Sequence, residues 1–167
     1  MTRVHFAQGR LLVALGFLTL VSSACSDSSP SSNADPDGIY EFGDGSWVLV
    51  DNRDEYDKWT STKNETIFVN TYAHLTDGLS TELWCQQDYA EYNILFTSGG
   101  YTRVTDPESV NGAPGWWWWV ANNETHDTNY TGYFANAPRG LNAQLFRDGT
   151  DMGAARAAEI LRTLKFR

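Results

Sequence analysis

Apolar and polar positions divide the chain into three segments of different character. Residues 11–21 form an uncharged apolar run, residues 26–37 contain almost no apolar side chain, and apolar positions recur at short periods from residue 39 onward. Burial of so few apolar groups cannot offset the entropy cost of ordering a chain, so we predict a flexible tether over residues 25–37. A globular domain is predicted over residues 38–167.

Most of the globular part shows the residue types and the alternation that are typical of β-strands. Three hairpins are predicted, which pair residues 39–42 with 47–50, 93–97 with 101–105, and 130–135 with 141–146. Two further strands are predicted over residues 66–72, which are rich in β-branched and aromatic side chains, and over residues 116–121. Residues 53–61 are predicted to form a short helix or an irregular connection.

Helical spacing of apolar residues predicts two helices. The first covers residues 80–92, with Ser80 as its N-cap and with the apolar residues Leu79, Leu83 and Ala90. The second is C-terminal, with Asp148 or Asp151 as its N-cap and an apolar stripe of Ala157, Ile160, Leu161 and Leu164. This order of elements predicts a single α+β domain, in which the helices pack against an antiparallel sheet.

Four consecutive tryptophans occupy the start of one predicted strand. Because side chains alternate along a strand, Trp116 and Trp118 are expected on one face of the sheet, and Trp117 and Trp119 on the other. Burial in the core between sheet and helices is the commoner fate of such residues. The other interpretation is that an exposed indole stacks on a sugar ring, which makes these tryptophans candidate ligand-binding residues together with His126 and Asp127 in the following polar loop.

The first 25 residues have the pattern of an export signal that ends in a cysteine. Arg3 and Arg10 flank the start of an apolar run that is shorter than the roughly 20 residues of a membrane-spanning helix. Small residues at 22–24 then precede Cys25. This arrangement resembles the lipobox of bacterial lipoproteins, although the position three before the cysteine, usually Leu, is Ser22.

The lipobox resemblance implies that residues 1–24 are a cleaved signal peptide and that Cys25 is lipidated. An acyl chain on Cys25 would anchor the exported protein to a membrane of the cell envelope. Ordinary secretion, or a disulfide between Cys25 and Cys85, is the alternative.

Cys85 is the second cysteine of the chain and lacks a disulfide partner if Cys25 carries lipid. Its neighbours Leu83 and Trp84 indicate a buried thiol rather than a nucleophile. The sequence contains no zinc-ligand spacing, no phosphate-binding glycine loop, no Gly-x-Ser-x-Gly elbow and no EF-hand pattern. We therefore predict a protein that is not an enzyme and that has no cofactor and no metal site.

Acidic residues outnumber basic ones by 21 to 12, which gives a formal net charge of −9. Loss of Arg3 and Arg10 with the signal peptide would change −9 to −11. A strongly acidic surface repels phosphate backbones, so nucleic acid is excluded as a partner class. The acidity serves solubility, or it attracts a basic protein or cations.

The C-terminal part, residues 140–146 and 158–166, resembles the ending of small PsbP/Mog1-type domains, and the general pattern extends over residues 39–167. Those domains are α/β/α sandwiches that are common among bacterial lipoproteins and exported proteins. They are usually auxiliary or binding proteins rather than enzymes. The resemblance implies the same fold here, and it carries no functional residue.

These observations together predict an exported, lipid-anchored envelope protein that acts as a non-catalytic binding module. One form of this role is a periplasmic inhibitor or immunity-type protein that neutralises a basic toxin. One alternative is a module that binds cell-wall glycan through exposed aromatic residues. The other is a small hydrolase, which would require Cys85 or Asp127 beside a histidine in one cleft.

Overall fold

The computed structural model describes residues 32–75, 79–98, 101–123 and 128–167. Two helices and eleven strands lie within these ranges. The helices are α1 (Thr81–Ser98) and α2 (Ala154–Thr163). The strands are β1 (Asn33–Ala34), β2 (Tyr40–Phe42), β3 (Val48–Asn52), β4 (Asp57–Thr60), β5 (Glu65–Tyr72), β6 (Tyr101–Val104), β7 (Glu108–Ser109), β8 (Trp117–Asn123), β9 (Thr128–Asn136), β10 (Arg139–Arg147) and β11 (Lys165–Phe166).

A large antiparallel sheet forms the middle layer of this α+β domain. Its strand order is β3-β4-β5-β10-β9-β8-β6, and β7 pairs with β8. The β9–β10 hairpin places Tyr130 opposite Leu145, and Leu145 in turn lies opposite Ile67 of β5. These pairings confirm the hairpin predicted over residues 130–135 and 141–146, and β5 confirms the strand predicted over residues 66–72.

The two faces of the large sheet are covered by different elements. The α2 face packs against α2 and against a small sheet of β1, β2 and β11, around buried residues such as Leu141, Leu145 and Leu161. The opposite α1 face packs against α1 through Trp84 and Cys85. Trp116 and Trp118 belong to the first cluster, whereas Trp119 and Trp117 belong to the second, as the alternation of a strand predicts.

The first predicted hairpin, residues 39–42 with 47–50, is wrong. Strand β2 pairs with β1 and β11 in the small sheet, whereas β3 pairs with β4 in the large one. Gly43 and Gly45 have φ angles of 67° and 81°, which only glycine adopts readily, and Trp47 packs on Phe42 with ring centroids 5.4 Å apart. The connection therefore crosses between two layers instead of folding back on itself.

Two other local predictions are corrected by the structure. Residues 57–60 form strand β4 rather than a helix, because Asp57 and Trp59 alternate into the interior. Helix α1 begins as predicted, with the Leu83 amide donating to Ser80 Oγ at 3.2 Å, but it continues to Ser98. No glycine or proline interrupts residues 80–98, so the predicted strand over residues 93–97 is helix instead, and β6 pairs with β8.

Strand pairing occurs within the range predicted as a tether. Asn33 and Ala34 pair with Phe42 and Glu41, so a tether over residues 25–37 cannot extend to its predicted end. At α2 the apolar stripe is as predicted, but the N-cap is Gly153 without a side-chain cap. Asp151 instead accepts a hydrogen bond from the Tyr130 hydroxyl at 2.8 Å. Among the described residues, no helix is long and apolar enough to span a membrane.

Candidate functional site

The predicted tryptophan site is divided between the two faces of the sheet. Trp116, Trp118 and Trp119 are buried, and Trp117 is half-buried. Trp116 stacks on Phe134 at 5.5 Å between ring centroids, and Trp119 donates to the Tyr133 hydroxyl at 3.3 Å. These contacts favour the interpretation that the tryptophans pack in the core over the interpretation that they stack on a sugar ring.

Three predicted site residues, Cys25, His126 and Asp127, lie outside the described residues. Their roles in lipidation and in ligand binding therefore stay predictions.

An acidic pocket of about 250 Å³ lies where the β1–β2 turn, the β3–β4 turn and β5 meet. Its charged lining consists of five carboxyl groups and one guanidinium, from Asp35, Asp37, Asp54, Glu55, Asp57 and Arg53. The Nε of Arg53 pairs with Asp51 Oδ2 at 2.8 Å and its guanidinium lies 5.6 Å from the centroid of the Tyr56 ring, so this one cation does not balance the five carboxyl groups. The pocket therefore holds an excess of negative charge.

Two tight turns present these carboxyl groups. The Asp35 carboxylate accepts hydrogen bonds from the backbone N–H groups of Asp37 at 3.2 Å and Ile39 at 2.8 Å, which is an Asx-turn arrangement. In the β3–β4 turn, Arg53 and Tyr56 exchange backbone hydrogen bonds of 2.9 and 3.2 Å, which leaves Asp54 and Glu55 exposed at the tip. The local sequence thus fixes the backbone of both turns and points acidic side chains at one cavity.

Asp57 and Asp35 are the two buried carboxyl groups of the acidic pocket, and the side chains that donate hydrogen bonds to Asp57 are neutral. The Tyr40 hydroxyl donates to it at 2.7 Å and the Asn52 amide at 2.6 Å, while Trp59 Nε1 donates to the Tyr40 oxygen at 2.9 Å. Burial raises the pKa of Asp57; the bonds from Tyr40 and Asn52 act in the opposite direction, and the neighbouring Asp35 carboxyl raises it further. The carboxylate is held in place without a cation.

Glu65, on the α2 face of β5, is a buried carboxylate of the opposite kind. It lies 2.9 Å from both Arg147 and Arg156 and accepts the Ser61 hydroxyl at 3.0 Å. Burial raises the pKa of Glu65, but the bonds from Arg156, Arg147 and Ser61 outweigh burial and lower that pKa to about 2. Because Arg156 belongs to α2, this ion-pair cluster fastens the helix to the sheet.

Helix α1 buries a thiol and half-buries a carboxyl group. Cys85 is a free cysteine with no exposed surface, and burial raises the pKa of its thiol to about 12, which leaves it protonated at neutral pH. Burial, and next the charge of Glu91, raise the pKa of Asp88 to about 6, although Tyr133 and Trp84 donate hydrogen bonds to it. Within the described part of the chain, no group of three or more His, Cys, Asp or Glu side chains is placed to hold a metal ion.

Sequence reasoning missed the acidic pocket, although part of its signal was present. Four acidic residues occur between residues 51 and 57, and two more at 35 and 37. Their convergence depends on the pairing of β3 with β4 and on the turn after β1, neither of which was predicted. The dense acidic stretch between two short strands was the signal that could have indicated a turn presenting carboxylates.

No family model and no curated protein matches this sequence. Among solved structures, the solution structure of cyanobacterial PsbP (CyanoP) from Synechocystis sp. PCC 6803 is similar, with a TM-score of 0.51 and 13% identity over 93% of this chain and 99% of that one. A 1.50 Å crystal structure from Bacteroides thetaiotaomicron VPI-5482 has a TM-score of 0.51 and 11% identity over 83% of this chain and 49% of its own length. The chain thus spans about half of that second protein. These similarities confirm the expected PsbP-like fold.

Proposed function

We propose that this protein is an exported, lipid-anchored and non-catalytic binding protein of the cell envelope, and that it recognises a basic protein through the acidic pocket. The observation that carries this proposal is the charge imbalance of the pocket, with five carboxyl groups and one guanidinium that is already paired with Asp51. A lysine or arginine side chain of a partner would supply the missing positive charge through charge-assisted hydrogen bonds.

The geometry of the pocket suits this role. Asp57 is 6% exposed and is oriented by Tyr40 and Asn52, so its free lone pairs are preorganised for a donor. Asp54 and Glu55 are exposed at the rim, where charge steers encounter with a basic surface. A volume of about 250 Å³ admits the end of one long basic side chain rather than a whole peptide.

The proposed anchor would keep the acidic pocket close to the envelope. Asp35 follows Cys25 by ten residues, a length of chain that spans at most about 35 Å when fully extended. A lipid on Cys25 would therefore hold the pocket near the bilayer surface, where it meets partners that reside in or cross the envelope.

The pocket is tested with two matched charge-neutralising variants of the soluble body in which Cys25 is replaced by Ser. Asp54→Asn with Glu55→Gln removes two exposed carboxylates at the pocket, and Glu82→Gln with Glu91→Gln removes two exposed carboxylates on α1. We expect capture of a basic envelope protein to fall about tenfold in the first variant and to persist in the second. An equal loss in both variants, or in neither, would contradict recognition at the pocket.

The anchor is tested separately by metabolic labelling with a fatty-acid analogue. The wild-type protein is expected to carry the label and to need detergent for release, whereas the Cys25→Ser variant is expected to be unlabelled. A mature chain that begins at another residue would contradict lipidation. Catalytic turnover by a purified body that binds no partner would contradict the non-catalytic role.

A further inference from the structure

A second cavity of about 510 Å³ lies on the α2 face, between α2 and the turn before β8. We call it the α2 cleft. Its residues are Asn111, Gly112, Trp118, Ala154, Ala155, Ala158, Glu159 and Arg162. Trp118 and Ala158 are buried and form its base, whereas Ala154, Ala155 and Asn111 are exposed and form its rim. An indole and alanine methyl groups make most of this surface apolar.

The base of the α2 cleft is held rigidly. The Trp118 ring packs on Tyr130 at 5.3 Å between centroids, and its Nε1 donates to Glu108 Oε1 at 3.4 Å. On the opposite rim, Gly112 has a φ of 79°, and a Cβ added there would meet no atom within 4 Å. The cleft is therefore open above a fixed aromatic base, a common form of small-molecule site.

Arg162 lies at one end of the α2 cleft without an interaction partner among the described residues. The other arginines whose side chains are described all have partners. Arg53 pairs with Asp51, Arg147 and Arg156 with Glu65, Arg167 with Glu41, and Arg139 contacts the ring of Phe166. In a chain with 21 acidic residues, a guanidinium left unpaired beside an apolar cavity is a conspicuous exception.

Arg162 lies in the last turn of α2, where a positive charge stabilises the helix through its dipole. Helix stabilisation explains the presence of a cation at this position, but it does not explain the apolar cavity beside it. Glu159 also lines the cleft, but its carboxylate is paired with Arg156 Nη1 at 3.1 Å, so it is partly neutralised. Glu108 accepts the Trp118 indole N–H but does not line the cleft, so among the residues that line it the unpaired charge is positive.

We propose that the α2 cleft binds a small apolar carboxylate. The apolar body of the ligand lies against Trp118 and Ala158, where burial of apolar surface stabilises it. The ligand carboxylate accepts two parallel hydrogen bonds from the N–H groups of the Arg162 guanidinium. The Asn111 amide lies at the opposite rim of the cleft. This site is separate from the acidic pocket, so the proposal does not depend on the function proposed above.

The test uses three phenylalkyl probes of similar length and different charge: 4-phenylbutyrate, its isosteric amide 4-phenylbutanamide, and 4-phenylbutylamine. Their dissociation constants are measured by NMR titration, followed at the Trp118 indole N–H. We expect the carboxylate to shift this signal and to bind about tenfold more tightly than the amide or the amine. Equal binding of the three probes, tighter binding of the amine, or no shift at Trp118 would overturn the proposal.

Two variants and two controls locate the site. Arg162→Gln is expected to weaken 4-phenylbutyrate about tenfold, and Ala155→Phe, which fills the cleft, is expected to abolish binding. The matched controls are Arg167→Gln at an exposed arginine that lines neither the α2 cleft nor the acidic pocket, and Ala90→Phe at an exposed alanine of α1. Both are expected to bind as wild type. Circular dichroism of all four variants establishes folding, and unchanged affinity in a folded Arg162→Gln protein would overturn the proposal.

Discussion

Glu65 and Asp57 are both buried carboxylates on neighbouring strands, yet their surroundings are opposite. Glu65 is completely buried between two arginines that are 28% and 26% exposed. Asp57 accepts hydrogen bonds from a phenol and an amide, and the charged group that acts on its pKa is another carboxyl group, Asp35. Glu65, which joins β5 to α2, is thus neutralised by arginines. Asp57, which lies where the acidic pocket opens to solvent, has no basic partner among the described residues. The difference separates a structural charge from a charge that is available to a partner.

The largest expected effect comes from removing the charge of Glu65. Glu65→Gln leaves two partly buried guanidinium groups without their carboxylate, so we expect the free energy of unfolding to fall by about 3 kcal/mol. Urea denaturation at pH 7 measures the change. A loss below about 1 kcal/mol would mean that the arginines find water or other partners, and the contrast with Asp57 would disappear.

Glu65 and Asp88, a half-buried carboxyl group of α1, are expected to give opposite dependences of stability on pH. The pKa of Glu65 falls from 4.5 to about 2 on folding, so its contribution is complete above pH 4.5 and is lost as the pH falls towards 2. The pKa of Asp88 rises from 3.8 to about 6, so its contribution is complete below pH 3.8 and is lost as the pH rises towards 6.

Urea denaturation between pH 2 and 7 tests both signs. In wild type, stability should rise as the pH increases from about 2 to 4.5, and Glu65→Gln is expected to flatten this rise. The contribution of Asp88 should fall as the pH increases from about 4 to 6, and Asp88→Asn is expected to flatten this fall. Identical pH profiles for wild type and both variants would contradict these assignments.

Asp57→Asn is expected to change stability less than Glu65→Gln. Loss of the charge relieves desolvation and repulsion from Asp35, but the single accepting oxygen of asparagine leaves Tyr40 or Asn52 without its acceptor, so the two effects oppose each other and we expect the free energy of unfolding at pH 7 to change by less than about 1 kcal/mol. The contribution of charge relief should shrink as the wild-type carboxyl becomes protonated in acid. Denaturation at pH 7 and pH 4 gives both values. A loss of stability as large as that of Glu65→Gln would identify Asp57 as a structural charge.

The smallest expected effect concerns the neutral donor to Glu65. Ser61→Ala removes the hydroxyl that donates at 3.0 Å, while both arginines remain, so we expect a loss of about 0.5 kcal/mol. The same urea series measures it. A loss comparable to that of Glu65→Gln would show that the hydroxyl, rather than the ion pairs, carries the cluster.

Elements whose signal is local were predictable from the sequence. Strand β5, the β9–β10 hairpin and the apolar stripe of α2 all follow from the periodicity of neighbouring residues. Strand β2 was predicted as a strand, but its partner was not, because it pairs with β11 from the C-terminal end of the chain. Choice of a pairing partner is a long-range property that local patterns do not contain.

The candidate sites show the same limit. Asp57 lies in a stretch so rich in charge that its alternation with Trp59 was hidden, and its strand was missed. The ion pair between Glu65 and Arg156 joins residues 91 positions apart. For the tryptophans, alternation predicted which face each one occupies but not the extent of its burial. Arg162 lies in the last turn of α2, and nothing in the local sequence indicated the cavity beside it.

The brevity of β1 has a mechanical consequence. Only two of its residues pair with β2, and the next residue, Asp35, turns back through its bonds to Asp37 and Ile39. A pulling force on the chain ahead of residue 32 would act on these two residue pairs before it reached any strand of the large sheet. The β1–β2 pairing would open first, while the hydrophobic core stayed intact. Because Asp35 lies beside Asp57, the same pull would also withdraw one carboxyl group from the acidic pocket.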